Sequence, residues 1–180
     1  MIIGNGIRLR AIEREDLPRF VTWLNDPDVR QGLSLVYPLS LAQEERWYEQ
    51  MLQRPPAEQV LGIEVEVGGV WTLIGTCGLH NVDWVNRQAE LGISIGEKAF
   101  WNRGYGRKAV ILLLRFAFHT LNLNRVYLRV YETNPRAIRA YEHAGFVHEG
   151  RLRQARYQNG RYVDELIMSV LRSEWHEPEE

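Results

Sequence analysis

Gly104 and Gly106 stand one residue apart among three cations, Arg103, Arg107 and Lys108, at the head of an apolar run. Glycines so spaced at a helix start let the backbone approach a ligand closely. The free N–H groups of the first turn, reinforced by the helix dipole, then point at an anion. Arginine and lysine add charge-assisted hydrogen bonds of the kind phosphate oxygens accept. The chemistry on offer is phosphate binding. The same residues would equally serve a tight turn entering an apolar helix with its cations solvated, and the loop alone does not separate the two.

Gly104-x-Gly106-x-x-Ala109 also fits the dinucleotide-binding fingerprint, so a nicotinamide-dinucleotide oxidoreductase has to be weighed. That motif needs its first glycine close behind a strand and an acidic residue ~20 residues on, at the end of the next strand. Here the preceding strand ends near Ile95, leaving a long approach from Gly96 to Arg103. Glu132 does stand at the end of the next strand. However, no train of βαβ units follows, because the chain closes in a hairpin, and the dinucleotide reading loses on context.

Four other side chains could do chemistry. Tyr141 lies in the penultimate turn of a short helix, where a tyrosine packs its ring inward or offers its hydroxyl to a ligand. Glu90 opens a strand as a candidate base or a solvated carboxylate. His80 ends the strand before it and is a lesser candidate. Cys77 alternates with apolar neighbours and reads as core, with no histidine spaced to make it a thiolate pair. The five histidines lack metal-ligand spacing, so no metal site is expected.

The elements that must position these residues follow from periodicity. Gly6 to Ile12 alternates as a first strand, and Glu15 to Leu24 carries a helical apolar face. A second helix covers Leu41 to Leu52, with Ser40 as N-cap and Gln43-Glu44 completing a capping-box-like start. Val60 to Val67 and Val70 to Leu79 form a hairpin about Gly68-Gly69. Gln88 to Ile95 is a strand and Gly106 to Leu121 an apolar helix. Arg125 to Tyr131 is a strand, and Asn134-Pro135 to Gly145 carries a full set of cap signals for a short helix. Phe146 to Arg156 and Tyr162 to Leu171 close the chain about Asn159-Gly160, a type I′ turn pair. The order predicts a mixed α/β (α+β) domain whose strands are mostly antiparallel neighbours.

The 180 residues suffice for one domain with a substantial core, and 1–180 is expected to be a single unit with a flexible C-terminal tail over 173–180. With 22 basic and 23 acidic side chains the formal net charge is -1, so no global field recruits nucleic acid or a membrane. The single cysteine precludes an internal disulfide and points to a reducing, cytoplasmic setting. No signal peptide is evident, and the apolar stretch Ala109 to Leu114 is too short to span a bilayer.

Taken together, the motifs from Ala89 to Met168 resemble the GCN5-related N-acetyltransferase (GNAT) family, in its RimJ/RimL-like and spermidine-acetyltransferase-like branch. The resemblance is carried by Glu90-Leu91-Gly92-Ile93, Trp101-Asn102-Arg103-Gly104-Tyr105-Gly106, Asn134-Pro135-Arg136-Ala137, Tyr141-Glu142-His143-Ala144-Gly145-Phe146, Glu149-Gly150-Arg151-Leu152-Arg153 and Asp164-Glu165-Leu166-Ile167-Met168. Leu9-Arg10-Ala11-Ile12-Glu13-Arg14-Glu15-Asp16-Leu17 looks like the family's opening strand and helix. Trp101 departs from the general family loop and is usual in that branch; Asn102 stands where the branch often has glycine.

The resemblance implies a GNAT fold, with a central sheet of about seven strands and about four flanking helices. It also implies transfer of an acetyl group from acetyl-CoA directly to an amine. It assigns the pantetheine arm to Ile93, Ser94 and Ile95, the pyrophosphate to Arg103, Gly104, Tyr105, Gly106, Arg107 and Lys108, and a further cofactor contact to Asn134. Tyr141 becomes the proton donor to the coenzyme A thiolate; the base stays open, with Glu90 the first candidate, acting through a water, and His80 a lesser one. The acceptor stays open among a polyamine, a protein N-terminal amine and a small amine. Glu44, Glu45, Trp47 and Tyr48 are expected to form an acidic-aromatic wall beside it. A homodimer is compatible with this reading. The rivals are a non-catalytic acyl-CoA-binding protein of the same fold and the oxidoreductase.

Overall fold

The computed structural model describes residues 1–178. Its strands are β1 (Ile2–Gly4), β2 (Ile7–Ala11), β3 (Leu61–Val67), β4 (Val70–Asp83), β5 (Gln88–Ile95), β6 (Arg125–Tyr131), β7 (Val147–Gln158) and β8 (Arg161–Leu171). Its α-helices are α1 (Leu17–Asn25), α2 (Pro27–Arg30), α3 (Leu41–Leu52), α4 (Tyr105–Arg115) and α5 (Pro135–His143). The strands form one sheet in the order β1-β2-β3-β4-β5-β6-β8-β7, antiparallel except for the β5–β6 pair. That parallel pair is joined through α4, a single βαβ crossover rather than the train a dinucleotide fold requires.

Most of the expected elements are present. Gly68 and Gly69 both take positive φ in the β3–β4 turn, as do Asn159 and Gly160 in the β7–β8 turn, the geometry of type I′ hairpins. Ser40 and Gln43 form a reciprocal capping box at α3, and the Asn134 side chain accepts from the Ala137 N–H at 3.2 Å to start α5. Eight strands and five α-helices replace about seven and about four. The extra strand, β1, has three residues, pairs with β2 and packs Ile2 against the core. The extra helix, α2, has four residues and owes its start to Asp26, whose carboxylate accepts from the Asp28 N–H, and to Pro27 behind it. Elements this short leave no periodic signature.

The sheet separates two apolar clusters. One packs Leu9, Ile63, Ile74, Leu128 and Met168 against α4 and α5; the other gathers Leu17, Phe20, Trp23, Val29, Tyr48 and Met51 on the α1–α3 side. Each fully buried aliphatic side chain of this kind contributes roughly 1.5–3 kcal/mol. The expected loose tail is instead held as far as Glu177. Trp175 is buried against Phe118 and donates its indole N–H to the Ala144 carbonyl at 3.1 Å, and Glu177 pairs with Arg115. Positions 179–180 of that expectation lie outside the described residues.

Candidate active site

Parallel pairing between β5 and β6 runs only from Gln88 opposite Arg125 to Glu90 opposite Tyr127. Beyond it both strands continue, β5 to Ile95 and β6 to Tyr131, without facing one another. Each stays attached on its other side, β5 to β4 as far as Ile95 and β6 to β8 as far as Tyr131. The sheet therefore splays into a V whose inner edges carry backbone N–H and C=O groups free of a strand partner. Such groups need partners of their own when a ligand covers them.

The V opens into a cleft of about 1460 Å³. Strand alternation divides its lining. Ala89, Leu91, Val126, Leu128 and Val130 turn to the α4–α5 core, whereas Glu90, Arg129 and Tyr131 turn to the α1–α3 side. One arm of the cleft is bounded by the loop before α4 and by α5, the other by the segment after α2, by His80 and by the inner part of the β7–β8 hairpin.

The loop before α4 is shaped by local constraints. Gly104 sits at φ 80, in the left-handed region that disfavours any side chain. Asn102 sits at φ 60, a left-handed conformation that asparagine adopts in place of the branch's glycine. Nothing in the protein crowds Gly106, where an added Cβ would meet only Ile95 at 3.8 Å, so its bareness leaves room for a ligand. The first intrahelical bond runs from the Lys108 N–H to the Gly104 carbonyl at 3.0 Å, leaving the N–H groups of Tyr105, Gly106 and Arg107 ahead of the helical ladder. Arg107 Nε is buried without a partner among the described residues. Unpaired helix N–H groups with an unpartnered arginine donor suit a diphosphate.

The structure brings Ile93, Ser94, Ile95, Arg103, Gly104, Tyr105, Gly106, Arg107 and Asn134 together on the cleft, with Tyr141 and Glu90. Lys108 does not line it. Asn134 spends its Oδ1 on the α5 cap and keeps its Nδ2 for other partners. Tyr141 is buried against Phe146, and the loss of water pushes its phenol up to about 12. Glu90 accepts from Asn81 Nδ2 at 3.0 Å and lies 3.9 Å from Arg129. His80, its cross-strand neighbour, has its imidazole pKa lowered chiefly by burial, with Arg54 adding to the effect. Cys77 is buried away from the cleft, its thiol pushed up to about 12.

The expected acidic-aromatic wall does not form. Tyr48 and Trp47 pack into the α1–α3 cluster, and buried Glu44 lies outside the cleft lining. A helix face of mixed residues reads the same whether its stripe meets a ligand or the protein's own core. Sequence reasoning missed Arg129 and Glu165, on β6 and β8, and Arg156 in β7, where pairing shifts between Leu152 and Arg156. The positive φ of Gln154 inside that bulge has no glycine to announce it.

Comparison with known proteins agrees with this geometry. Residues 7–147 match the acetyltransferase (GNAT) domain family. The spermidine N(1)-acetyltransferase of Vibrio cholerae serotype O1 is 33% identical over 174 residues, spanning 96% of this chain and 97% of that one. A putative ribosomal N-acetyltransferase of Bacillus subtilis is 30% identical over 175 residues, spanning 96% and 95%. The crystal structure of spermidine N-acetyltransferase from Vibrio cholerae, in complex with CoA and spermine, superposes with a TM-score of 0.86 at 30% identity, covering 95% of this chain and 98% of that one. The chain belongs to the GNAT acetyltransferase family. It is an acyl-CoA-dependent N-acetyltransferase, with acetyl-CoA as the acetyl donor.

Proposed function

We propose that residues 1–180 act as one domain that passes the acetyl group of acetyl-CoA directly to a primary amine held on the α1–α3 side of the splay. The observation that carries this is the end of β5–β6 pairing at Glu90, which leaves strand edges open between the glycine loop and Tyr141. In this reading the backbone of Ile93, Ser94 and Ile95 pairs with the pantetheine arm and polarises the thioester carbonyl. The first turn of α4, with Arg103 and Arg107, takes the pyrophosphate. Lys108 adds only to the local positive potential, and Asn134 Nδ2 offers a further contact.

Three tasks remain: freeing the amine of its proton, holding the tetrahedral oxyanion and receiving the thiolate. Glu90, with its Asn81 contact, takes the amine's proton through a water. Tyr141, protonated throughout the physiological range, donates a hydrogen bond to the thiolate as it departs. A pKa of about 12 against ~8.5 for a free thiol makes complete proton transfer uphill, so stabilising the developing charge is its main role. The thiol of Cys77, buried and held protonated, supports direct attack over an acyl-enzyme.

Release of coenzyme A thiol from acetyl-CoA, measured with spermidine, small amines and peptide amines, tests the transfer. Binding without turnover for every amine would favour a non-catalytic acyl-CoA binder. Work as a cytoplasmic homodimer belongs to the same proposal: β7 ends the sheet with one edge unpaired, and light scattering reads the assembly. No helix among the described residues is long and apolar enough to cross a membrane.

A further inference from the structure

On the α1–α3 side of the splay, four charged side chains form a row across four strands. Glu90 on β5 lies 3.9 Å from Arg129 on β6, Arg129 lies 4.0 Å from Glu165 on β8, and Glu165 lies 3.3 Å from Arg156 on β7. All four line the cleft. The carboxylates of this arm are already engaged. Glu90 accepts from Asn81, Glu165 accepts from Arg156, and Asp28, at the arm's edge, is bound by Lys98 at 3.0 Å.

The arginines are not matched in the same way. A guanidinium carries five N–H donors. Among the described residues Arg156 uses one, toward Glu165, and its buried Nε has no partner. Arg129 stands between its two carboxylates at distances too long for a hydrogen bond to either. Arg161, also on the cleft, has no side-chain partner among the described residues. The arm thus presents surplus donors and positive charge, and each carboxylate lining it already has a partner among the described residues. A polyamine entering it would meet carboxylates already engaged and arginines that keep N–H donors to spare, whereas a carboxylate would take up those donors.

We propose that the acceptor is a small primary amine that also carries a carboxylate, its amine near Glu90 and its carboxylate on Arg156, with Arg161 alongside. The inference rests on the transfer reading given above and narrows its acceptor class.

Matched amines that differ by one carboxylate test it: lysine against cadaverine, ornithine against putrescine, and β-alanine against ethylamine, with spermidine alongside. In the parent, the best carboxylated amine is expected to show a kcat/KM on the order of tenfold or more above its decarboxylated partner, the range one charge-assisted hydrogen bond supplies. Arg156→Gln is expected to erase that ratio while leaving the KM for acetyl-CoA unchanged, and Arg156→Lys to restore part of it. Equal or better turnover of the decarboxylated amines or spermidine by the parent would overturn the proposal, and this needs no variant. So would an Arg156→Gln enzyme that keeps the preference, or one whose defect lies in the KM for acetyl-CoA. If no amine of either kind releases coenzyme A, the transfer reading itself falls and takes this inference with it.

Discussion

Trp101 donates its indole N–H to the Ile95 carbonyl at 2.7 Å while its ring lies 3.9 Å beneath the Arg136 guanidinium. The bond ties the loop after β5 back to the strand's last residue, and the cation–π contact ties the same ring to α5. Ile95 ends the free edge of the V, and the glycine turn begins three residues after Trp101. One side chain thus fixes the two surfaces assigned to pantetheine and pyrophosphate relative to each other. Trp101→Phe keeps the ring and deletes the N–H. We expect it to lower stability by about 1 kcal/mol, the worth of one partly buried hydrogen bond, and to weaken acetyl-CoA binding severalfold. Calorimetric titration beside thermal unfolding checks both, and undiminished affinity would mean the loop is set by other contacts.

Tyr141→Phe separates ring from hydroxyl. The ring packs against Phe146 in either case, so folding and acetyl-CoA affinity are expected to stay near the parent's. The turnover number should fall on the order of a hundredfold, as when one donor to a developing negative charge is removed. Burial raises the phenol from its ordinary value to about 12, so the folded protein retains this proton more tightly than a free tyrosine does. The parent's rate should therefore show no tyrosine ionisation below roughly pH 10. A decline at lower pH that vanishes in Tyr141→Phe would contradict the environment described for this group.

Glu90→Gln tests the base through pH. A carboxylate that carries away the amine's proton matters while the amine arrives protonated. It ceases to matter as pH approaches ~10.4, the reference value for an alkyl ammonium. The variant is expected to be slow at neutral pH, by roughly a hundredfold, and to approach the parent at alkaline pH. His80 is the control, because burial lowers its imidazole pKa and it faces the same arm. If Glu90→Gln is uniformly slow at every pH while His80→Gln shows the alkaline recovery, the roles exchange.

The features proposed here for the coenzyme are legible in the chain and those of the acceptor arm are not, for a physical reason. Gly104, Gly106 and the capped helix bearing Tyr141 are local: backbone conformation, cap and anion site sit within a few residues. The acceptor arm depends on strands distant in the chain. Arg129 meets Glu165 only because β8 inserts between β6 and β7, and Arg156 reaches the cleft only through a bulge that no glycine or proline marks. Trp23 shows the same limit within the fold. An added Cβ at Gly96 would lie 2.1 Å from its indole, so the glycine after β5 is demanded by a helix more than 70 residues earlier.

Glu44 offers a last test, one of stability. Buried on α3 and outside the cleft, it has its carboxyl pushed up by loss of water from an ordinary 4.5 to about 7. A raised acid contributes stability that is fully present below its unfolded pKa and is lost as pH rises through the folded one. The window is therefore pH 4.5 to about 7. Asp16, Glu64 and Asp164 are lowered and act in the opposite sense, losing stability as pH falls, so the parent's own profile mixes both trends. Subtracting the profile of Glu44→Gln isolates the single group. Relative to the parent, the variant should gain up to about 3 kcal/mol across that window and nothing further above it. A difference that stays flat from acid to neutral pH would mean that water reaches Glu44 and leaves its carboxylate solvated.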